Sequence, residues 1–130
     1  MKHLLPKDAY EFLQQQPEAL FIDVRSEMEF LFVGHPKEAL HVSWNDGPDW
    51  EINPHFVGEV KKLIGGRSER PVVLICRSGK RSEEAGLALA AAGCNNIYNV
   101  THGFEGDLDE QHHRGSKNGW RFDGLPWEQC

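Results

Sequence analysis

The chain has 130 residues, 14 Lys+Arg against 20 Asp+Glu, and a formal net charge of -6. That length suits one domain over residues 1–130, and 39% hydrophobic residues with four Trp suffice to bury a core, which excludes wholesale disorder. The acidic balance argues against nucleic acid as a partner, and no apolar run approaches the roughly 20 residues of a membrane span.

In chain order, Met1 to Pro6 shows no long apolar stretch and no small-residue cleavage site, so no secretory signal is expected. Leu4-Leu5 reads as a short first strand. Pro6 to Gln16 reads as a helix with Ala9, Phe12 and Leu13 on one face, closed by Pro17. Leu20 to Val24 is a compact strand, and Glu27 to Val33 a short helix ended by Gly34 and Pro36. Leu40 to Trp44 is a third strand, followed by turn chemistry at Asn45-Asp46-Gly47-Pro48-Asp49. Asn53 caps the next helix, with Pro54 at its first position, and Gly65-Gly66 stops it. Pro71 to Ile75 is the strongest strand signal, and its unbroken apolar run predicts burial on both faces. A second long helix runs from Lys80 or Arg81 to Ala92, and Ile97 to Val100 is the last strand. A short helix near Phe104 is expected next. From about residue 107 to 130 the pattern predicts an irregular tail pinned to the body by Phe104, Trp120, Phe122 and Trp127.

Strands separated by helices predict an α/β fold: a mostly parallel central sheet of about five strands with helices on both faces. Ligands in such folds bind outside the carboxyl ends of the strands. That rule selects Asp23-Val24-Arg25, Trp44-Asn45, Cys76-Arg77 and Val100-Thr101-His102 as candidate positions. The three cysteines, Cys76, Cys94 and Cys130, form a poor disulfide framework and fit a reducing, cytoplasmic setting.

The segment Cys76-Arg77-Ser78-Gly79-Lys80-Arg81-Ser82 follows the buried strand and opens a helix. The cysteine stands at the strand's carboxyl end, where its sulfur is expected to face the crevice. Loop amides and the helix N-terminus converge there on an anion. Arg77, Lys80 and Arg81 place three cations within five residues of the thiol. Such surroundings favour thiolate over thiol. Gly79 permits a positive φ, while Ser78 and Ser82 supply hydroxyl donors. A concave basic loop focuses an attractive field locally even in an acidic chain, so the expected substrate is a small anion.

This loop resembles the active-site loop of the single-domain rhodaneses, the thiosulfate sulfurtransferases of the rhodanese-like superfamily. Phe21-Ile22-Asp23-Val24-Arg25 resembles their early strand, and Gly34-His35 with Ala39-Leu40-His41-Val42 the segment after it. Asn99-Val100 to Gly103-Phe104 and Gly119-Trp120…Gly124-Leu125-Pro126 resemble the closing strand and the C-terminal ending. Pro36-Lys37-Glu38 departs from the pattern, and Asp107 to Lys117 is longer and more polar than in minimal members.

The resemblance implies Cys76 as the nucleophile, with Arg77, Ser78, Gly79, Lys80, Arg81 and Ser82 as the substrate-binding loop. It places Asp23 and Arg25 nearby as supporting residues, Asp23 as a structural partner and Arg25 as an anion contact, with a purely structural role for both as the reading set against it. It implies transfer of sulfane sulfur from thiosulfate or a related donor to cyanide or a thiol through a Cys76 persulfide. The implied partners are a small anionic donor, a thiol or cyanide acceptor, and a sulfur-relay protein. No metal or organic cofactor is implied. The C-x4-R spacing from Cys76 to Arg81 is one residue shorter than the C-x5-R of related phosphatases, which disfavours a phosphatase or arsenate reductase. A rhodanese-like sulfur carrier or protein-binding module without turnover is the alternative. Cys94 is expected to be a packed, inert thiol, beyond disulfide reach of Cys76. Cys130 is read on a flexible terminus. His35 and His41 are read as packing residues, Trp44 as pocket wall or core, and the acidic and His-rich stretch 107–113 as solvated rather than metal-binding.

Overall fold

The computed structural model describes residues 1–130. Five parallel strands form the central sheet in the order β1-β6-β5-β2-β4. They are β1 (Lys2–Leu4), β2 (Leu20–Asp23), β4 (Leu40–His41), β5 (Val72–Ile75) and β6 (Ile97–Val100). The helices are α1 (Pro6–Gln15), α2 (Phe56–Ile64) and α3 (Lys80–Ala91). A second, two-stranded sheet pairs β3 (His35–Pro36) with β7 (Trp127–Glu128) in antiparallel fashion. No helix is long and apolar enough to cross a membrane.

The pleat explains why β2 and β5 read as continuous apolar runs. Side chains alternate across a strand, so both faces of a central strand need apolar cover. Leu20, Ile22, Val72 and Leu74 join a core with Phe56, Val60 and Ile64 of α2 and Ala85 and Leu89 of α3. Phe21, Val73 and Ile75 face the other way, against Ala9 of α1, Phe104 and Trp120. The second face thus has only one long helix, and the tail completes the layer. Trp120 is 1% exposed; its ring meets Phe21 and Tyr10 at centroid distances of 5.2 and 5.9 Å. Its indole N–H donates to Pro126 O at 2.9 Å.

Several boundaries differ from the sequence reading. The first strand is Lys2–Leu4, and Leu5 is the extended residue before α1. The third expected strand keeps only Leu40–His41, although Val42 and Trp44 still donate N–H bonds to Asp23 O and Val24 O. α2 starts at Phe56 because Asn53 closes a turn first, its Oδ1 accepting the His55 N–H at 2.9 Å. The expected helix Glu27–Val33 does form, α-helical at Glu27–Met28 and widened into a π-helical turn over Glu29–Val33, closed by Gly34 N–H to Glu29 O at 3.2 Å. A capping box starts it: Ser26 Oγ donates to Glu29 Oε1 and accepts the Glu29 N–H.

No helix forms near Phe104. His102 and Gly103 both take positive φ, 70° and 63°, which breaks any helix there. The turn instead presses against the loop after β5. A Cβ on Gly103 would lie 2.5 Å from Cys76 O and 2.6 Å from the Arg77 carbonyl carbon, so only glycine fits. The tail is not wholly irregular either, since β7 pairs with β3. Phe122 is 51% exposed and anchors nothing. Cys130 is tied down by its N–H to Leu31 O at 2.9 Å.

Candidate functional site

β5 ends at Ile75 and α3 begins at Lys80, so residues 76–79 turn the chain from the sheet into the helix. The turn at Thr101–Glu105 holds this loop from beneath. Phe104 N–H donates to Cys76 O at 2.8 Å, and Glu105 and Gly106 N–H donate to Arg77 O at 3.0 and 3.2 Å. Gly79, at φ 106°, precedes the first turn of α3 and points its N–H at Cys76 Sγ, 3.1 Å away. Ser82 Oγ lies 3.2 Å from the same sulfur. The sulfur therefore sits at the positive end of the α3 dipole with two donors aimed at it.

Asn99 of β6 organises both donors. Its Nδ2 donates to Gly79 O at 3.1 Å and lies 3.2 Å from His3 Nδ1. Its Oδ1 is bonded to Ser82 Oγ. An amide oxygen only accepts, so Ser82 has one proton to share between Asn99 and the sulfur. A thiol donates to Ser82 Oγ and lets the hydroxyl point at Asn99. A thiolate draws the hydroxyl proton toward itself. Sequence reading missed this role. The available signal was a buried Asn inside an otherwise apolar strand, Ile97-Tyr98-Asn99-Val100.

The cations are not all arranged around the thiol. Arg81 is committed to Glu29, Nη1 to Oε1 and Nη2 to Oε2, both at 2.8 Å. Burial alone would push the Glu29 carboxyl up, but the Arg81 hydrogen bond and charge and the two bonds from Ser26 hold it at about 2 instead of 4.5. Burial likewise opposes the Arg81 charge, and its bond to Glu29 outweighs that and raises its pKa. The pair ties the π-helical turn to the start of α3. Its contribution is present above about pH 4.5, shrinks as pH falls, and is lost below about 2, where Glu29 is protonated in both folded and unfolded chains. Glu29→Gln is expected to cost on the order of 2 kcal/mol at pH 7. Urea melts between pH 2 and 7 should show the gap between the two proteins closing below pH 4.5.

Arg77 is exposed and Lys80 is exposed at the first turn of α3. Ser78 is half-buried, with no side-chain hydrogen bond. Arg77 and Arg81 line an open cleft of about 470 Å³ together with Glu29, Asn45 and Trp50. Glu105 and Arg114, from the segment after β6, complete it. Cys76 does not line this cleft and is 1% exposed, so the sulfur is roofed rather than open to the crevice. The tight wrapping that aims Gly79 and Ser82 at the sulfur is also what covers it.

Arg25 is not an anion contact. Its guanidinium and the Asp23 carboxylate are fully buried, with Nε to Oδ1 at 3.0 Å and Nη2 to Oδ2 at 2.7 Å. Nη2 also donates to Gly34 O, and the cation stacks on the Phe104 ring, 4.6 Å from its centroid. The pair clasps β2 to the turn that follows it. Trp44 is core, packed edge-on against Phe56 at 5.2 Å. His35 and His41 bond the carbonyls of Phe30 and Arg25 and stack on the two sides of the Phe30 ring. His102 faces Asp107, Nδ1 to Oδ2 at 3.1 Å. Cys94 is buried, which pushes its thiol pKa up.

Comparison with known proteins agrees with this architecture. The chain shares 40% identity with Rv0390 from M. tuberculosis, whose crystal structure superposes with TM-score 0.89 over 100% of this chain and 98% of that one. The polysulfide-sulfur transferase homodimer of Wolinella succinogenes is 30% identical, with TM-score 0.67 over 100% of this chain and 80% of that one. The thiosulfate sulfurtransferase GlpE of Haemophilus influenzae is 27% identical over 105 residues, covering 81% of this chain and 86% of that protein. The family model described as the rhodanese-like domain matches residues 5–110, and the chain belongs to that family.

Proposed function

We propose that this protein is a sulfurtransferase that carries sulfane sulfur on Cys76. The observation that carries this reading is the pair of donors, Gly79 N–H and Ser82 Oγ, aimed at a cysteine sulfur at the N-terminus of α3. Donors placed in this way stabilise negative charge on sulfur, both before attack and on the terminal sulfur afterwards. The Cys76 thiolate attacks the outer sulfur of thiosulfate. The S–S bond breaks, sulfite leaves with the bonding pair, and Cys76 holds a persulfide. A nucleophile, either cyanide or a thiolate on a small molecule or a sulfur-relay protein, then takes the outer sulfur and regenerates the thiolate. No general base is needed once the cysteine is ionised. Arg77, exposed and without a side-chain hydrogen bond, is the side chain able to move aside and meet the anionic donor. Polysulfide joins thiosulfate among the donors, from the likeness to the Wolinella enzyme.

Mass spectrometry after incubation with thiosulfate tests the reading. One sulfur is expected on Cys76, and cyanide should remove it. The roofed sulfur favours a second reading, a carrier that holds sulfur without turnover. In that case the adduct forms slowly or survives cyanide. Asn99 is a positioning residue here, acting through Gly79 and Ser82. Ser82→Ala is expected to slow sulfur uptake about tenfold, the worth of one lost hydrogen bond to a charged sulfur, and Asn99→Ala, which frees the Ser82 proton for the sulfur but unties Gly79, is expected to slow it less. Both should lower kcat and leave the KM for thiosulfate unchanged, a split that a merely structural role would not produce.

A further inference from the structure

The segment between β6 and β7 contains side chains that the sulfur-transfer reading leaves unused, yet it is firmly built. Asp109 accepts the N–H groups of Gln111 and His113, each at 2.9 Å, and the Ser116 hydroxyl. Asp107 N–H donates to Asn118 Oδ1 at 2.8 Å, and Asn118 Nδ2 returns a bond to Asp107 Oδ2 at 3.1 Å. Gly106 and Gly119 meet so closely that a Cβ on Gly106 would lie 1.9 Å from Asn118 O.

This scaffold delivers Arg114. Its Nη1 donates to Gly106 O at 2.7 Å, while Gly106 N–H donates to Arg77 O at 3.2 Å. The guanidinium is therefore held one residue's peptide away from the loop that carries Cys76, and it lines the same cleft as Arg77 and Trp50. Arg81 is paired with Glu29, whereas Arg77 and Arg114 are in no ion pair. At about 470 Å³ the cleft falls in the size range of sites for organic ligands, about 300–1,000 Å³. An inorganic sulfur oxyanion fills only a small part of it.

We propose that this cleft, which Cys76 itself does not line, holds the carboxylate end of organic persulfide donors, that the exposed Arg77 side chain moves aside so that the sulfane end reaches the covered Cys76 sulfur, and that Arg114 is the specificity-determining residue that reads the carboxylate. The inference rests on the Cys76 sulfur-transfer reading and names its substrate class. In the step, the Cys76 thiolate attacks the outer sulfur of R–S–SH. The S–S bond breaks, R–S⁻ leaves with the bonding pair, and the outer sulfur stays on Cys76 with its proton as Cys–S–SH. The sulfane oxidation level passes from donor to cysteine, so no outside oxidant is required.

The persulfides of N-acetylcysteine and of N-acetylcysteine amide differ only in carboxylate against carboxamide. Sulfur uptake by the wild-type protein, followed by mass spectrometry as a second-order rate, is expected to be about tenfold faster from the carboxylate donor, as for one charge-assisted hydrogen bond. Arg114→Gln should bring the ratio close to one, and Arg114→Lys should keep part of it, as a cation without the fork. A wild-type ratio near one overturns the inference whatever the variants do. So does a tenfold ratio that survives in Arg114→Gln. Equal uptake from both donors removes this inference and leaves the sulfur-transfer reading standing. No uptake from either donor or from thiosulfate overturns the sulfur-transfer reading and this inference with it.

Discussion

Cys76→Ser is expected to abolish sulfur uptake, with turnover falling about 10³-fold or more, while the fold and melting behaviour stay close to wild type. A serine hydroxyl in that loop accepts the same Gly79 and Ser82 donors but remains un-ionised, and it cannot carry sulfane sulfur. Cys94→Ser and Cys130→Ser provide the contrast. Cys94 is buried, with its thiol held toward the protonated form, and Cys130 is an exposed terminal residue outside the loop. Both variants should keep the sulfur adduct and its release by cyanide. An adduct that persisted in Cys76→Ser and vanished in either of the other two would move the chemistry to a different thiol and end the proposed mechanism.

The largest expected stability change lies at the Asp23–Arg25 clasp. Both side chains are 0% exposed, and two parallel N–H···O bonds join them. Arg25 also donates to Gly34 O. Its Nη1 finds no hydrogen-bond partner, while the Phe104 ring lies against the cation with the guanidinium carbon 4.6 Å from its centroid. Removing one member strands the other charge out of water. Asp23→Ala or Arg25→Met is therefore expected to cost about 3–5 kcal/mol, read as a lower urea midpoint. The double variant should recover a substantial part, because a buried pair replaced by apolar groups leaves no stranded charge. Single variants that cost under about 1 kcal/mol would show that water reaches the pair in solution.

The same clasp explains why Arg25 reads so easily as a ligand contact. A strand-end arginine is the right residue type at the right place for an anion. Its direction is decided by Gly34 O and the Phe104 ring, which are 9 and 79 residues away in the chain. Arg81 follows the same logic. Its position after Cys76 suggests a ligand for the thiol's substrate, yet Glu29, 52 residues upstream, takes its guanidinium.

Local pattern alone determined the α/β class, the buried run of β5, the loop from Cys76 into α3, and the order of the five sheet strands and three long helices along the chain, but not the β3–β7 pair or the turn at Phe104. Each depends on the period of apolar residues or on turn chemistry within a few neighbours. Tertiary contacts decided what local spacing cannot encode. They bring Asn99 beneath Gly79 and Ser82, fold the tail into a layer over Phe21 and Ile75, roof the Cys76 sulfur, and carry Arg114 to the cleft beside Arg77. A side chain's type and place in its element are written locally. The partner it points at is chosen by whichever distant segment packs against it.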